Sequence, residues 1–292
     1  MSNTQVLVTG SNGQLGSELK YLSQTSAFEY VFTDIEELDI TNSKSLDSFF
    51  KAHDFSFCIN CAAYTAVDRA ETDVETAEKL NVEAIRNLAT ICHNHDVQLI
   101  HISTDFVFSG KTYLPLLETD IPDPISIYGK TKYDGELVAR KINPSTLIIR
   151  TSWLYSSYGN NFVKTMLKLG KERKKLGVIF DQIGTPTYAR DLASTIVTIM
   201  EMREQDKVTD AEMGNIFHYS NEGVASWYDF AHQIFSQADL NVELTPIRTE
   251  AYPTPAARPH YSLLDKTNIK EIFKVQIPHW RDSLEKCLDL LL

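Results

Sequence analysis

The sequence lacks any run approaching the ~20 consecutive apolar residues of a membrane-spanning helix, so no membrane contact of that kind is expected. Its opening, MSNTQVLVTG, has no basic segment leading into a long apolar run, and no secretory signal is expected. Cysteine is scarce, four in 292 residues, too few for a disulfide scaffold and suited to a reducing, cytoplasmic setting. Cys58 and Cys61 form a C-x-x-C within FSFCINCAA. No second pair completes a zinc site, and the segment has strand character, so core packing is expected there. His93 and His95 stand near a helix end without further ligands in register and read as surface or capping residues. Basic charge is in deficit: 28 Lys and Arg face 39 Asp and Glu, a net charge of −11. That balance argues against a broad nucleic-acid surface or an anionic-membrane surface. The one compact basic run, KERKK at 171–175, reads as a solvated helix face. Internal repeats and low-complexity linkers are absent as well.

What is present is a globular composition, 43% hydrophobic and 23% charged, in a chain long enough for one large domain or two lobes. The first half alternates short β-branched and aromatic runs with amphipathic stretches. QVLVTG, EYVFTD, FSFCINCAA, QLIHISTDFVF and STLIIRTSWLY predict strands, and 14–24, 43–53 and 74–95 predict helices. Strand and helix in alternation mean βαβ units, hence an α/β fold with a parallel sheet covered on both faces. The pattern loosens after about residue 150. GVIFDQIGTPTY and GNIFHYSN predict two more strands around a helix at 190–203. A helix opening at Ser226, a strand near 242–247, the loop AYPTPAARPHY and a terminal helix after Pro278 complete the chain. Two lobes without a flexible linker suit a cleft enzyme.

Gly10, Gly13 and Gly16, in VLVTGSNGQLGSEL, fall directly after the first strand and at the start of the first helix. Glycine permits the tight turn and lets backbone approach a pyrophosphate, which the positive helix N-terminus favours. A dinucleotide is therefore expected along Gly10, Asn12, Gly13, Gln14, Leu15 and Gly16. Such a site needs an acid on the adenine ribose roughly 20 residues beyond the glycines. Asp34, 24 positions after Gly10, stands at the end of the second strand. A carboxylate there bonds a free 2′-hydroxyl, so NADH should at least be tolerated beside NADPH. Asp39, with Ile40 after it, either lies near the adenine or caps the next helix.

The fourth strand ends in Thr104 and Asp105, and ligands of parallel sheets bind at the carboxyl ends of strands. Tyr128 and Lys132 follow, four apart and so on one face of a helix. An ammonium ~5 Å from the phenol at an effective dielectric of ~20 is worth roughly 3 kcal/mol, which would draw the tyrosine from ~10 toward ~8. Such a phenol can give a proton to a carbonyl oxygen as hydride reaches the carbon.

VTGSNGQLGSEL, INCAAYTAVDRAE, ISTDFVFSG, DPISIYGKTKYDGE, IRTSWLY, GNNFVKTM, DQIGTPTYARDLA and AYPTPAARP together resemble, in order and across nearly the whole chain, the extended short-chain dehydrogenase/reductase superfamily. The resemblance implies a Rossmann-type doubly wound sheet over 1–150, with 178–220 returning to it. A smaller mixed α/β lobe for a sugar nucleotide would be formed by 151–177 and 221–292. It implies reduction of dTDP-4-dehydro-L-rhamnose to dTDP-L-rhamnose by NAD(P)H. Thr104, Tyr128 and Lys132 match the catalytic trio. Ala62, Ala63 and Thr65 match a cofactor-contacting loop, and Asn81 matches a position that supports the site. Val67, Asp105 and Phe106 match the sugar site, and Trp153 offers an apolar wall. Asn161, Gln182 and Arg258 are the expected nucleotide contacts, a guanidinium being suited to a pyrophosphate. Some relatives bridge a dimer through Mg²⁺ held by glutamates. Glu18 matches one such position, but YARDLA presents Arg190 where a carboxylate is wanted, so no metal is expected. Monomer and homodimer stay open. So do another sugar-nucleotide reductase, epimerase or dehydratase, and a non-catalytic subunit like the regulatory subunit of methionine adenosyltransferase. Dehydratases usually follow the acid after threonine with glutamate, where Phe106 stands.

Overall fold

A computed structural model describes residues 4–292. Its first half runs β1 (Gln5–Thr9), α1 (Gln14–Leu22), β2 (Glu29–Thr33), α2 (Ser43–Lys51), β3 (Phe55–Asn60), α3 (Val67–Ala70), α4 (Val74–Glu78), α5 (Ala84–Asn94), β4 (Gln98–Thr104), α6 (Ile127–Ile142) and β5 (Leu147–Thr151). The second half runs β6 (Leu154–Tyr155), α7 (Phe162–Glu172), β7 (Lys175–Ile179), β8 (Ile183–Gly184), β9 (Thr187–Tyr188), α8 (Ala189–Glu204), α9 (Asp210–Met213), β10 (Ile216–Tyr219), β11 (Ala225–Ser226), α10 (Trp227–Gln237), β12 (Glu243–Ile247), α11 (Thr267–Phe273) and α12 (Trp280–Leu288).

Six strands form one sheet in the order β10-β5-β4-β3-β1-β2, and every neighbouring pair is parallel. The order reverses direction beside β1, which opens a crevice at the strand ends there. Helices cover both faces because both faces of the strands are apolar. Leu15, Leu19, Leu192, Ile196 and Ile199 pack from α1 and α8 on Val6, Val8 and Ile59. On the other face Leu46, Phe50, Ile85, Leu88 and Cys92 pack from α2 and α5 on Leu7, Cys58 and Leu99. A separate core in the second lobe joins Val163 and Leu167 of α7, Phe230 and Ile234 of α10, and Leu284 of α12.

Three segments differ from their sequence reading. The strand expected over GVIFDQIGTPTY is three short pieces: β7 pairs with β12, β8 with β11, and β9 with β6. The chain returns to the main body with α8, not at 178. The run STLIIRTSWLY breaks at Trp153, whose backbone is left-handed at φ +48°. The helix expected over 74–95 is interrupted by a π-helical turn at Lys79–Glu83. That extra residue presents buried Asn81 to three partners: its side chain accepts from Tyr64 N–H at 2.9 Å and donates to Tyr64 C=O at 3.2 Å and to Thr131 Oγ1 at 3.1 Å. Gly135 of α6 lets the two elements meet, since a Cβ there would lie 2.2 Å from the Asn81 carbonyl oxygen. Of KERKK, only Lys171 and Glu172 are helical; Lys175 opens β7.

Candidate active site

A cleft of about 780 Å³ lies at the carboxyl ends of β1, β3, β4 and β5, within the ~300–1,000 Å³ usual for small-molecule sites. Gly10 leaves β1 at φ +64°, and a Cβ on it would stand 2.6 Å from Ala62 N, so only glycine lets the first and third strand ends touch. A Cβ on Gly16 would lie 2.5 Å from Ser11 Cα, which is why helix and loop pack so closely. The first turn of α1 has no side-chain cap, leaving its N–H groups directed at the cleft mouth. Asp34 fixes this loop by accepting Asn12 N–H at 3.0 Å and Ile35 N–H at 2.9 Å. Gly10, Asn12, Gly13, Gln14, Leu15 and Asp34 all line the cleft. Asp39 and Ile40 line it too, although one Asp39 oxygen is held by Thr41 N–H and hydroxyl at 2.9 and 2.8 Å. Ala62, Ala63 and Thr65 complete that wall. A loop of glycines against an uncapped helix, with a carboxylate on the next strand, fits a dinucleotide.

Opposite this wall stand Thr104, at the end of β4, and Tyr128 and Lys132, on the first turns of α6. Ser126 caps α6 by accepting Gly129 N–H at 3.1 Å, and Glu71 accepts Ile127 N–H at 2.9 Å. Glycine at 129 matters because a Cβ there would meet the Phe106 carbonyl oxygen at 2.2 Å. The Phe106 ring meets Tyr128 edge-on at 5.4 Å. Lys132 Nζ donates to the Ile102 carbonyl at 2.7 Å, and the Thr104 hydroxyl donates to Asp105 Oδ1 at 3.0 Å.

The electrostatics correct one expectation. Burial pushes the Tyr128 phenol up to about 12, with the Thr104 hydroxyl pulling it back and Asp105 adding to the rise. Burial likewise holds Lys132 down at about 8, with Glu136 opposing. The tyrosine is therefore not drawn toward ~8: its burial, and not the neighbouring ammonium, sets the direction of its shift. Burial also raises Asp105 to about 6, against the Ser262 and Thr104 hydroxyls.

Val67, Asp105, Phe106 and Trp153 line the cleft beside the trio. Gly16, Asn161, Gln182 and Arg258 do not. The polar atoms of the last three are taken by protein partners. Asn161 caps α7 by accepting Lys164 N–H at 3.1 Å, and its amide donates to Gln14 Oε1 at 2.9 Å and Ser156 C=O at 2.7 Å. Gln182, 3% exposed, donates to Thr249 Oγ1 at 3.2 Å and accepts the Trp227 indole N–H at 3.2 Å. Arg258 forks onto Asp68 at 2.8 and 3.0 Å, at the rim next to Val67. Sequence reasoning missed Leu80, Ser103, Gly159 and Asn160 in the lining. Both cysteines of the C-x-x-C pack as expected, Cys58 within the core on one face of the sheet and Cys61, partly buried, against the core on the other, where it also reaches the cleft.

Glu18 shows no place for Mg²⁺. Its two oxygens accept the Ser156 hydroxyl at 2.6 Å and Arg190 Nε at 2.7 Å, so a guanidinium already neutralises it. Among the described residues no cluster of three or more His, Cys, Asp or Glu could hold an ion.

A doubly wound parallel sheet, a glycine loop at its switch point and a Thr–Tyr–Lys strip across the cleft define an extended short-chain dehydrogenase/reductase. The chain belongs to the RmlD substrate binding domain family, whose description matches residues 4–292. It is 42% identical over 288 residues to a dTDP-4-dehydrorhamnose reductase of Aggregatibacter actinomycetemcomitans, covering 96% of this chain and 97% of that one. Its fold superposes on a dTDP-4-dehydrorhamnose reductase of Clostridium acetobutylicum with a TM-score of 0.92 at 40% identity, each chain covered to 99%. The reductase of Bacillus anthracis, solved in complex with NADP, gives a TM-score of 0.92 at 38% identity over 98% of this chain and 99% of that one.

Proposed function

We propose that this protein reduces the 4-keto group of dTDP-4-dehydro-L-rhamnose to give dTDP-L-rhamnose, with NADPH or NADH as reductant. The observation that carries the reading is the shared cleft: the glycine loop with Asp34 on one wall, and Thr104, Tyr128 and Lys132 on the other. Reduced dinucleotide bound along Gly10–Leu15 supplies the hydride for C4. Tyr128 gives its phenolic proton to O4, and the Thr104 hydroxyl bonds the same oxygen. A phenol near 12 is a weak acid in the resting cleft but still far stronger than the alcohol it forms, so the transfer is downhill. Lys132, protonated, holds the ribose hydroxyls and stabilises the phenolate left behind. Asp105, Phe106, Val67 and Trp153 surround the deoxysugar. The relatives named as reductases favour this over the epimerase, dehydratase and regulatory-subunit readings, and so does Phe106 where a dehydratase would carry a second acid.

No described helix is long and apolar enough to cross a membrane, which fits a cytoplasmic enzyme of sugar-nucleotide supply. The two lobes, with the nucleotide half of the substrate on the second, serve monomer and homodimer equally.

The test is loss of nicotinamide absorbance with dTDP-4-dehydro-L-rhamnose, for the native protein and Tyr128→Phe, with NADPH and NADH in parallel. The variant should lose ~10²–10⁴ in kcat while binding cofactor as before. Retention of most activity would remove Tyr128 as the proton donor, and a flat trace from folded native protein would remove the substrate. In the same assay Asp34→Ser should move preference toward NADPH.

A further inference from the structure

Tyr128, Lys132 and Glu136 follow one another at four-residue spacing along α6, all three buried, yet only the first two reach the cleft. Glu136 lies one turn deeper, 1% exposed. Arg150 of β5 donates to it through Nε at 2.9 Å and Nη2 at 2.6 Å, and the Ser103 hydroxyl of β4 donates at 2.5 Å. The carboxylate thus joins α6 to β4, which carries Thr104, and to its neighbour β5: Ser103 immediately precedes Thr104, and the preceding Ile102 carbonyl receives Lys132 Nζ. A buried ion pair is a poor device for stability alone, because desolvating two charges offsets their attraction. Its place one helical turn behind a buried working lysine calls for another role.

We propose that Glu136 is a positioning residue for Lys132, keeping its ammonium charged and its Nζ seated on the Ile102 carbonyl. The inference rests on the reading of Lys132 given above.

The surroundings of Lys132 leave this task to Glu136. His101 on β4 accepts the Asn60 amide through Nδ1 at 3.0 Å, so it is neutral, and burial together with Lys132 holds it far below its usual range. Asp105, after β4, bears on Tyr128. Arg150 on β5 is reached across Glu136 and has the wrong sign. On the helices packed over α6, Glu78, Lys79, Glu83, Arg86 and Arg69 are exposed to solvent, Asp68 is paired with Arg258, and Glu71 caps α6. Burial alone works to discharge Lys132, and Glu136 is the group that opposes it.

The single variant Glu136→Gln strands a buried Arg150 and risks unfolding. The double variant E136Q/R150M removes both charges at similar volume. The measurement is NADPH affinity by nicotinamide fluorescence, and kcat/KM for NADPH, across about pH 6 to 10. Native protein should lose both as pH rises through the Lys132 pKa. In the double variant that alkaline limb should move down by about one pH unit, a loss of up to ~10-fold near pH 8.5 with little change near pH 6.5. A limb superimposed on the native one would overturn the proposal and leave the pair a structural tie. Lys132→Met separates the two readings. If it retains native rate and limb, the role of Lys132 fails; if it abolishes the limb while the double variant keeps it, only the role of Glu136 fails.

Discussion

Trp153 and Trp227 stack face to face, their ring centroids 3.7 Å apart and their planes 9° from parallel. The stack holds Trp153 in a left-handed backbone conformation, φ +48°, that a bulky residue adopts only when its surroundings over-determine it. Gly184 makes the room: a Cβ there would be 3.0 Å from Trp153 Cε2. Trp227 is fixed in turn by its N–H on Gln182 and by Phe162 at 4.7 Å. So Trp153, the apolar wall proposed for the sugar, is set by a residue that does not itself line the cleft. Trp227→Leu keeps an apolar body but removes the ring. An aromatic pair is worth ~0.5–1.5 kcal/mol, so KM for the sugar nucleotide should rise ~2–12-fold. Because the wall touches ground and transition states alike, kcat should stay within about twofold. Steady-state kinetics check both, and an unchanged KM would show that Trp153 holds its place without the stack.

The Asp68–Arg258 fork ties the second lobe to α3 at the cleft rim, and Arg258 also donates to Thr254 Oγ1 at 2.6 Å and to Ala256 C=O at 3.0 Å. If Arg258 serves the substrate pyrophosphate, it must give up Asp68 to do so. The pair is partly exposed, 23% and 42% at the two side chains, so it contributes at most ~1 kcal/mol to stability. Asp68→Asn should therefore leave the melting temperature nearly unchanged and lower KM for the sugar nucleotide by about 2–5-fold. Arg258→Met should raise it by more than tenfold. Equal KM values in all three proteins would confine Arg258 to its tie with Asp68.

The parts legible in the sequence were those fixed by short-range backbone physics. Gly10 and Gly16 are needed where a side chain would strike neighbouring backbone, and Tyr128 and Lys132 share a face because helical spacing requires it. What escaped depends on distant chain. Asn161 is taken by Gln14, and Arg258 by Asp68, partners far away in sequence that no local pattern announces. β7 resembles a strand of the main sheet until β12 arrives to pair with it. KLNVE at 79–83 has helical periodicity, and its π turn shows only in where Asn81 points. The Tyr128 shift escapes for a related reason: spacing shows a neighbouring ammonium, but burial, which decides the sign of the shift, belongs to the assembled fold.

Asp105 carries a stability signature with a definite sign. Burial raises its folded pKa to about 6 from an ordinary value of 3.8. Between those values the folded protein binds this proton more readily than the unfolded chain does, so the group costs stability as pH rises through the window. The roughly two-unit shift corresponds to about 3 kcal/mol once the carboxylate is fully ionised. Asp105→Asn has no such titration. Urea denaturation at about pH 4 and about pH 7.5 should show the stability difference between the two proteins moving in favour of the asparagine variant by about 2.5 kcal/mol, whatever its value at the acid end. Activity should move the opposite way: the amide cannot accept the Thr104 hydroxyl as a carboxylate does, so kcat should fall by about tenfold or more. A stability difference that stays constant across the window would mean that Asp105 ionises in the cleft as freely as in water, and that the cleft is wetter at Thr104 than its burial indicates.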